Sequence, residues 1–209
     1  MQNSKIRIVI KNYIKNNNKE YILATLLFLI GLFTGVLIIN NLSDNDITNI
    51  ETYINNFLIN FKSTENIDKL QLISTSIKNN VFLALVIWGA GTTIIGIPIV
   101  LIVILYRGII LGYTISAFSI VLGTYKGLLF CLITIFLQNI LFIPAILTLG
   151  VSSIKLYKSI IKDRRRENIK VGVIRHTIIA LLMTIILILS SVFENVVSLG
   201  ILKKFIIFF

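Results

Sequence analysis

Residues 21–39 read YILATLLFLIGLFTGVLII, a stretch of 19 residues without a charged side chain. At about 1.5 Å of rise per residue, a helix of this length spans about 28 Å, close to the ~30 Å hydrocarbon thickness of a bilayer. The whole chain has the same character: its mean hydropathy is +0.92 and only 14% of its residues are charged. Such a composition excludes an ordinary soluble domain and predicts an integral membrane protein.

Four further apolar runs follow the first. They cover residues 81–106, 108–125, 128–151 and 176–194. Because Pro98 interrupts the second run, we interpret that run as one long kinked helix, with two short spans as the alternative. The sequence therefore predicts an all-α, polytopic membrane protein with about five transmembrane helices. Cleavage of the first run as a signal peptide is a minor alternative, since no small-x-small site follows it.

The basic residues orient these spans. Residues 1–20 and 152–175, together with Arg107 in a short loop, hold 14 of the 20 lysines and arginines. The positive-inside rule then predicts a cytoplasmic N-terminus and an extracytoplasmic C-terminal tail, residues 195–209. Residues 162–166 read KDRRR, and without aromatic neighbours we interpret them as a topology signal rather than a nucleic-acid site.

Residues 40–80, predicted to be extracytoplasmic, carry a helical stripe of apolar side chains. The stripe consists of Ile47, Ile50, Ile54, Phe57, Leu58 and Phe61. Asp44 or Asp46 is a candidate N-cap of this amphipathic helix. Two interpretations stay open: a cap packed on the membrane domain, or a binding surface for an extracytoplasmic partner.

Two GxxxG patterns lie within apolar runs, at Gly31 and Gly35 and at Gly108 and Gly112. Glycines four residues apart share one helix face and let another backbone approach closely. Packing within one chain is the simpler interpretation, and a contact between two copies in a homo-oligomer is the more specific one.

The fourth run carries Gln138, Asn139 and Pro144 in its middle. Side-chain amides in hydrocarbon need hydrogen-bond partners, so we expect Gln138 and Asn139 to face other helices. Glu194 ends the fifth run. We expect Lys126 rather than Arg107 as its partner, because the loop placement puts Arg107 on the opposite side of the membrane.

The sequence contains few residues of the kinds that catalyse reactions or bind metal ions. It has one cysteine (Cys131), one histidine (His176) and nine acidic residues, with no phosphate-binding loop, HExxH motif or dinucleotide fingerprint. We therefore predict no catalytic residue, no metal site, no cofactor and no nucleic-acid partner. The residues themselves indicate one partner, the lipid bilayer that surrounds the chain.

Several segments, taken in their order along the chain, resemble those of a known protein family. They are FLIG at 28–31 followed by Gly35, NNV at 79–81 leading to Trp88, GIP at 96–98, RGIILGYT at 107–114, LQNILFIPA at 137–145 and SSVFE at 190–194. In this order the chain resembles the stage II sporulation protein M family over nearly its whole length. Leu137 stands where that family often has proline, and Ser198-Leu199 replaces its Ser-Pro.

The resemblance implies a non-enzymatic scaffold in the mother-cell and septal membrane that supports forespore engulfment. It implies as partners the peptidoglycan-degrading stage II sporulation proteins P and D. The alternative from the residues themselves is a small transporter or channel subunit, with Thr92, Thr93, Gln138 and Asn139 lining a path.

Overall fold

The computed structural model describes residues 12–63, 69–93, 95–162 and 169–195, apart from the side chains of residues 60–63, 69, 133, 136–138 and 162. A turn of helix at residues 12–16 precedes six long helices in these ranges, which contain no strand. The helices are α1 (Asn18–Asn40), α2 (Asp44–Ser63), α3 (Lys69–Gly91), α4 (Gly96–Leu122), α5 (Thr124–Lys162) and α6 (Ile169–Phe193).

Five of these helices are long and apolar enough to cross a membrane. Their candidate spans are Asn18–Asn40, Leu70–Gly91, Gly96–Leu122, Asn139–Ile161 and Ile169–Phe193. The exposed side chains of these spans are largely Leu, Ile, Val and Phe, as lipid contact requires. The predicted fold class, an all-helical membrane protein with five spans, is confirmed.

The boundary predicted for the second span is wrong. Residues 81–106 are not one kinked helix, because α3 ends at Gly91 and α4 begins at Gly96. The hydroxyls of Thr92 and Thr93 donate to the carbonyls of Gly89 (2.7 Å) and Ala90 (2.9 Å), which ends α3. Pro98 is the third residue of α4, a first-turn position where a missing N–H costs no helical hydrogen bond.

The loop predicted around Arg107 is also absent. Arg107 is the twelfth residue of the unbroken helix α4, which therefore replaces the predicted span 108–125. Arginine is a good helix former, so a single one among apolar residues does not end a helix. The last two helices also begin or end beyond the predicted 128–151 and 176–194, since α5 covers Thr124–Lys162 and α6 begins at Ile169.

Both GxxxG patterns lie in the contact between α1 and α4. A methyl group built on any of the four glycines would overlap a carbonyl oxygen of the opposite helix. The overlaps pair Gly31 with Leu105, Gly35 with Ile109, Gly108 with Phe28 and Gly112 with Leu32. Residue numbers rise together in these pairs, so the two helices run parallel. The structure thus places both motifs within one chain, and the partner of each glycine face is the other helix.

Helix α2 covers the end of the α1–α4 pair. Ile54 is only 4% exposed and belongs to a buried cluster with Ile39 of α1 and Ala117 of α4. Ile50 and Leu58 pack partly buried against the same cluster. We call this end of the bundle the α2 end, and the opposite end, where α5 finishes, the basic end.

The N-cap of α2 corrects the predicted one. Ser43, rather than Asp44 or Asp46, occupies the cap, and its hydroxyl accepts a hydrogen bond from the backbone N–H of Asp46 at 3.4 Å. The same hydroxyl donates to the Asp46 carboxylate at 2.6 Å. Asp46 is the third residue of the helix, so its carboxylate also lies near the positive end of the helix dipole.

The close α1–α4 contact predicts a large difference between two glycine variants. Gly31→Ala should lower the free energy of unfolding by about 1–3 kcal/mol, because its methyl group would force the backbones apart. Gly89→Ala is the matched control: the site has nothing within 4 Å, and alanine favours helix. Thermal unfolding of the two purified variants in detergent measures the difference, and equal melting temperatures would contradict the packing.

Candidate functional site

A cavity of about 550 Å³ lies between α3, α4 and the end of α6. Its polar lining residues are Ser76, Asn79 and Asn80 of α3, Arg107 of α4, and Glu194 just beyond α6. Phe82 and Val86 of α3, with Val103 and Tyr106 of α4, are among the residues that complete the wall. We call this space the polar cavity. Its volume falls in the range of small-molecule sites, about 300–1,000 Å³.

Arg107 is the deepest charge in the polar cavity. From its place in α4 it lies about 17 Å from the start of the helix and about 23 Å from its end. Its guanidinium carbon lies 5.0 Å from the centroid of the Phe142 ring, which gives one side of the cation an aromatic neighbour. Within the described part of the chain, no group accepts a hydrogen bond from it. Ionisable residues at such depth are costly and mark functional sites in membrane proteins.

Glu194 lies in the same cavity as Arg107. The Ser76 hydroxyl donates to its Oε2 at 3.4 Å, and the opposite charges of Glu194 and Arg107 attract each other across the cavity. This arrangement corrects the expected pairing of Glu194 with Lys126, an exposed residue at the start of α5 that does not line the cavity. The expectation failed because Arg107 lies within α4 rather than in a loop on the opposite side.

Asn80 forms the back wall of the polar cavity and joins α3 to α6. Its buried amide donates to the Ser191 hydroxyl at 2.7 Å, and Ser191 in turn donates to the Leu187 carbonyl at 3.1 Å. Asn195 donates to the carbonyl of Ser191 at 2.8 Å. These bonds fix the end of α6 and hence the position of Glu194.

A second polar contact lies nearer the basic end. The buried His176 has its Nδ1 2.9 Å from the Ser152 hydroxyl and its Nε2 3.4 Å from the Trp88 carbonyl, so it joins α6 to α5 and α3. The indole of Trp88 donates to Thr177 at 3.2 Å. The cavity beside His176 measures about 10 Å³, too small for a substrate. Sequence reasoning missed this contact because both partners lie far from His176 in the chain.

Charged and aromatic groups also meet at the basic end. Lys158 of α5 forms an ion pair with Glu20 of α1, and the ammonium of Lys155 lies 5.5 Å from the centroid of the Tyr13 ring. Burial raises the pKa of the Tyr13 hydroxyl above its usual value. The Lys158 side chain is about half exposed, so the ion pair contributes little stability in water.

The other predicted intramembrane residues do not converge on one path. The amide of Asn139 donates to the carbonyl of Ile135 in its own helix at 2.7 Å, and the side chain of Gln138 lies outside the described residues. Pro144 lies inside α5, on an exposed face. Thr92 and Thr93 bind carbonyls of α3 at the opposite end of that helix from Ser76. In the described ranges no group of three His, Cys, Asp or Glu side chains could hold a metal ion.

The residues of the predicted partner-binding stripe on α2 differ in burial: some pack against the bundle and others are exposed. Ile54 is buried against the bundle, and Ile47, Ile50 and Leu58 are half-buried, so these four side chains are turned toward the protein itself. The side chain of Phe61 lies outside the described residues. Phe57 is 43% exposed, and Tyr53, which the stripe did not include, is 75% exposed one helical turn before it.

Five apolar helices and a polar cavity that ends at an intramembrane arginine define a multi-pass helical membrane protein. The family model for Stage II sporulation protein M matches residues 24–199, and the chain belongs to that family. No curated protein and no solved structure matches the chain. Three of the segments that carry the resemblance, at residues 79–81, 107–114 and 190–194, meet in the polar cavity.

The back wall of the cavity gives a stability prediction. Asn80→Ala removes the bond to Ser191 and should lower the free energy of unfolding by about 0.6–2 kcal/mol. Asn79→Ala, its exposed neighbour, should change it by less than about 0.5 kcal/mol. Unfolding of both variants in the same detergent compares them directly. An Asn80 variant as stable as the Asn79 variant would show that the α3–α6 bond adds nothing.

Proposed function

We propose that this protein is a non-enzymatic membrane scaffold that recruits and stabilises peptidoglycan hydrolases, stage II sporulation proteins P and D, at the septal membrane during forespore engulfment. Membership of the Stage II sporulation protein M family supports a role in sporulation. Five spans that anchor an additional helix support the scaffold, because such a chain can hold a partner at the membrane without acting on it.

The observation that carries the proposal is the packing of α2 on the ends of α1 and α4. Ile54 fixes one face of α2 on the ends of α1 and α4, so α2 has a defined position relative to the spans. Tyr53 and Phe57, four residues apart, lie side by side at the exposed edge of that face. Aromatic side chains are enriched at protein interfaces, since they bury a large area with few rotatable bonds. The partner surface in this proposal is therefore the Tyr53–Phe57 edge rather than the buried centre of the stripe.

The proposal requires α2 to face away from the cytoplasm. The basic residues favour this orientation: Lys155, Lys158 and Arg175 lie at the basic end, and the positive-inside rule places that end in the cytoplasm. Hydrolases that act on peptidoglycan would then meet α2 on the correct side of the membrane.

Cysteine labelling tests the orientation. Cys131 is the lone native cysteine and is buried, so Cys131→Ala gives a background without a thiol. On that background Asn49→Cys, in exposed α2, should react with a membrane-impermeant maleimide in intact protoplasts. Lys158→Cys should react only after permeabilisation. The reverse pattern would place α2 in the cytoplasm and rule out a peptidoglycan-side partner.

Recovery of partners tests the scaffold itself. The tagged protein, purified in mild detergent from membranes of sporulating cells, should bring down the two hydrolases, as read by mass spectrometry. Tyr53→Ala with Phe57→Ala should reduce their recovery at least about tenfold, as expected when two interface aromatics of 1 kcal/mol or more each are removed.

Two controls separate binding from folding. Ile59→Ala changes an exposed residue on a different face of α2 and should leave hydrolase recovery unchanged. Ile54→Ala should lower thermal stability, because it empties a buried site. Hydrolase recovery that is equal in the Tyr53/Phe57 variant and in the unmodified protein would refute the proposed surface, and no hydrolase in either sample would refute the scaffold.

A further inference from the structure

We infer that the polar cavity binds the headgroup of a zwitterionic phospholipid, with Arg107 holding the phosphate. This inference goes beyond the scaffold function and does not rest on it, since the α2 surface and the polar cavity share no residue. It rests on the chemistry of the lining side chains, on the size of the cavity and on the side of the bundle to which it opens.

Arg107 supplies the anion site. A guanidinium carries five N–H donors in a planar fork that matches two phosphate oxygens at once. In the described part of the chain these donors find no acceptor, and the guanidinium carbon lies 5.0 Å from the centroid of the Phe142 ring. An anion in the polar cavity would satisfy both the charge and the hydrogen bonds of an arginine held near the middle of a span.

Glu194 and the α3 amides narrow the ligand class. The Glu194 carboxylate accepts a hydrogen bond from Ser76 at 3.4 Å, and its negative charge attracts a cationic amine. Its negative charge disfavours a purely anionic ligand beside it, whereas a ligand with a phosphate and an ammonium complements both charges. Asn79 adds a neutral side-chain amide to the lining. Phosphoethanolamine esters have this combination of groups.

The opening of the cavity favours a ligand from the bilayer. Phe82 and Tyr106 line the cavity and are 69% and 58% exposed on the outer surface of two spans. Exposed side chains of spans contact acyl chains, so a ligand that enters between α3 and α4 comes from lipid. Ser76 lies about 9 Å from the start of its span, and Arg107 lies deeper. A headgroup from the leaflet at the α2 end would be drawn inward past Ser76 and Glu194, with its chains along Phe82 and Tyr106.

The experiment measures lipid binding by the purified, delipidated full chain. Phosphatidylethanolamine, phosphatidylglycerol and water-soluble glycerophosphoethanolamine are added separately, and bound ligand is counted by native mass spectrometry. Phosphatidylethanolamine should bind most tightly, and Arg107→Gln should weaken it about tenfold or more. Glu194→Gln should remove the preference for phosphatidylethanolamine over phosphatidylglycerol.

A pair of variants that leaves the charges intact distinguishes loss of the binding site from misfolding. Ile110→Trp fills the polar cavity from α4 and should also weaken phosphatidylethanolamine binding. Ile102→Trp, an exposed position on the same helix outside the cavity, should not. Equal binding by these two variants, or unchanged binding by a folded Arg107→Gln protein, would overturn the site. Glycerophosphoethanolamine that binds as tightly as the lipid would overturn the bilayer as its source.

Discussion

The fold depends on the direct backbone contact between α1 and α4. Four glycines form this contact: Gly31, Gly35, Gly108 and Gly112. Each lies so close to a carbonyl oxygen of the opposite helix that a larger side chain would overlap it. Within lipid there is no hydrophobic force to bring helices together, so close packing of this kind provides the association. The pair forms the frame to which α2 docks through Ile54, and α4 in turn sets the position of Arg107.

The turn between α3 and α4 decides where the polar residues meet. Because α3 ends at Gly91 and α4 begins at Gly96, Asn80 and Arg107 line one cavity although they lie 27 positions apart in sequence. Helix α6 then ends at the same place, fixed by the bonds of Asn80 and Asn195 to Ser191. The cavity is therefore formed by α3, α4 and the end of α6, and only Arg107 of its polar residues comes from inside an apolar segment.

Two surfaces with different chemistry follow from this arrangement. The Tyr53–Phe57 edge of α2 is exposed beyond the spans and suits a protein partner, whereas the polar cavity opens between two spans and suits a lipid. Both lie toward the α2 end of the bundle. The proposed scaffold would hold a protein partner on the first surface and a phospholipid in the second.

Periodicity and hydropathy were sufficient to predict the class, the number of spans and the amphipathic α2, because each of these is a local property of the chain. The GxxxG spacing indicated a close helix contact but not which helix would be the partner. They misplaced the boundary at Pro98, since a proline in a first turn and a proline in a kink have the same sequence appearance. They also assigned Arg107 to a loop, because a charge in an apolar run usually marks a boundary. Only the tertiary structure brought Arg107 to Glu194 and turned Ile54 inward, since both depend on which helices pack together, a property that no local pattern contains.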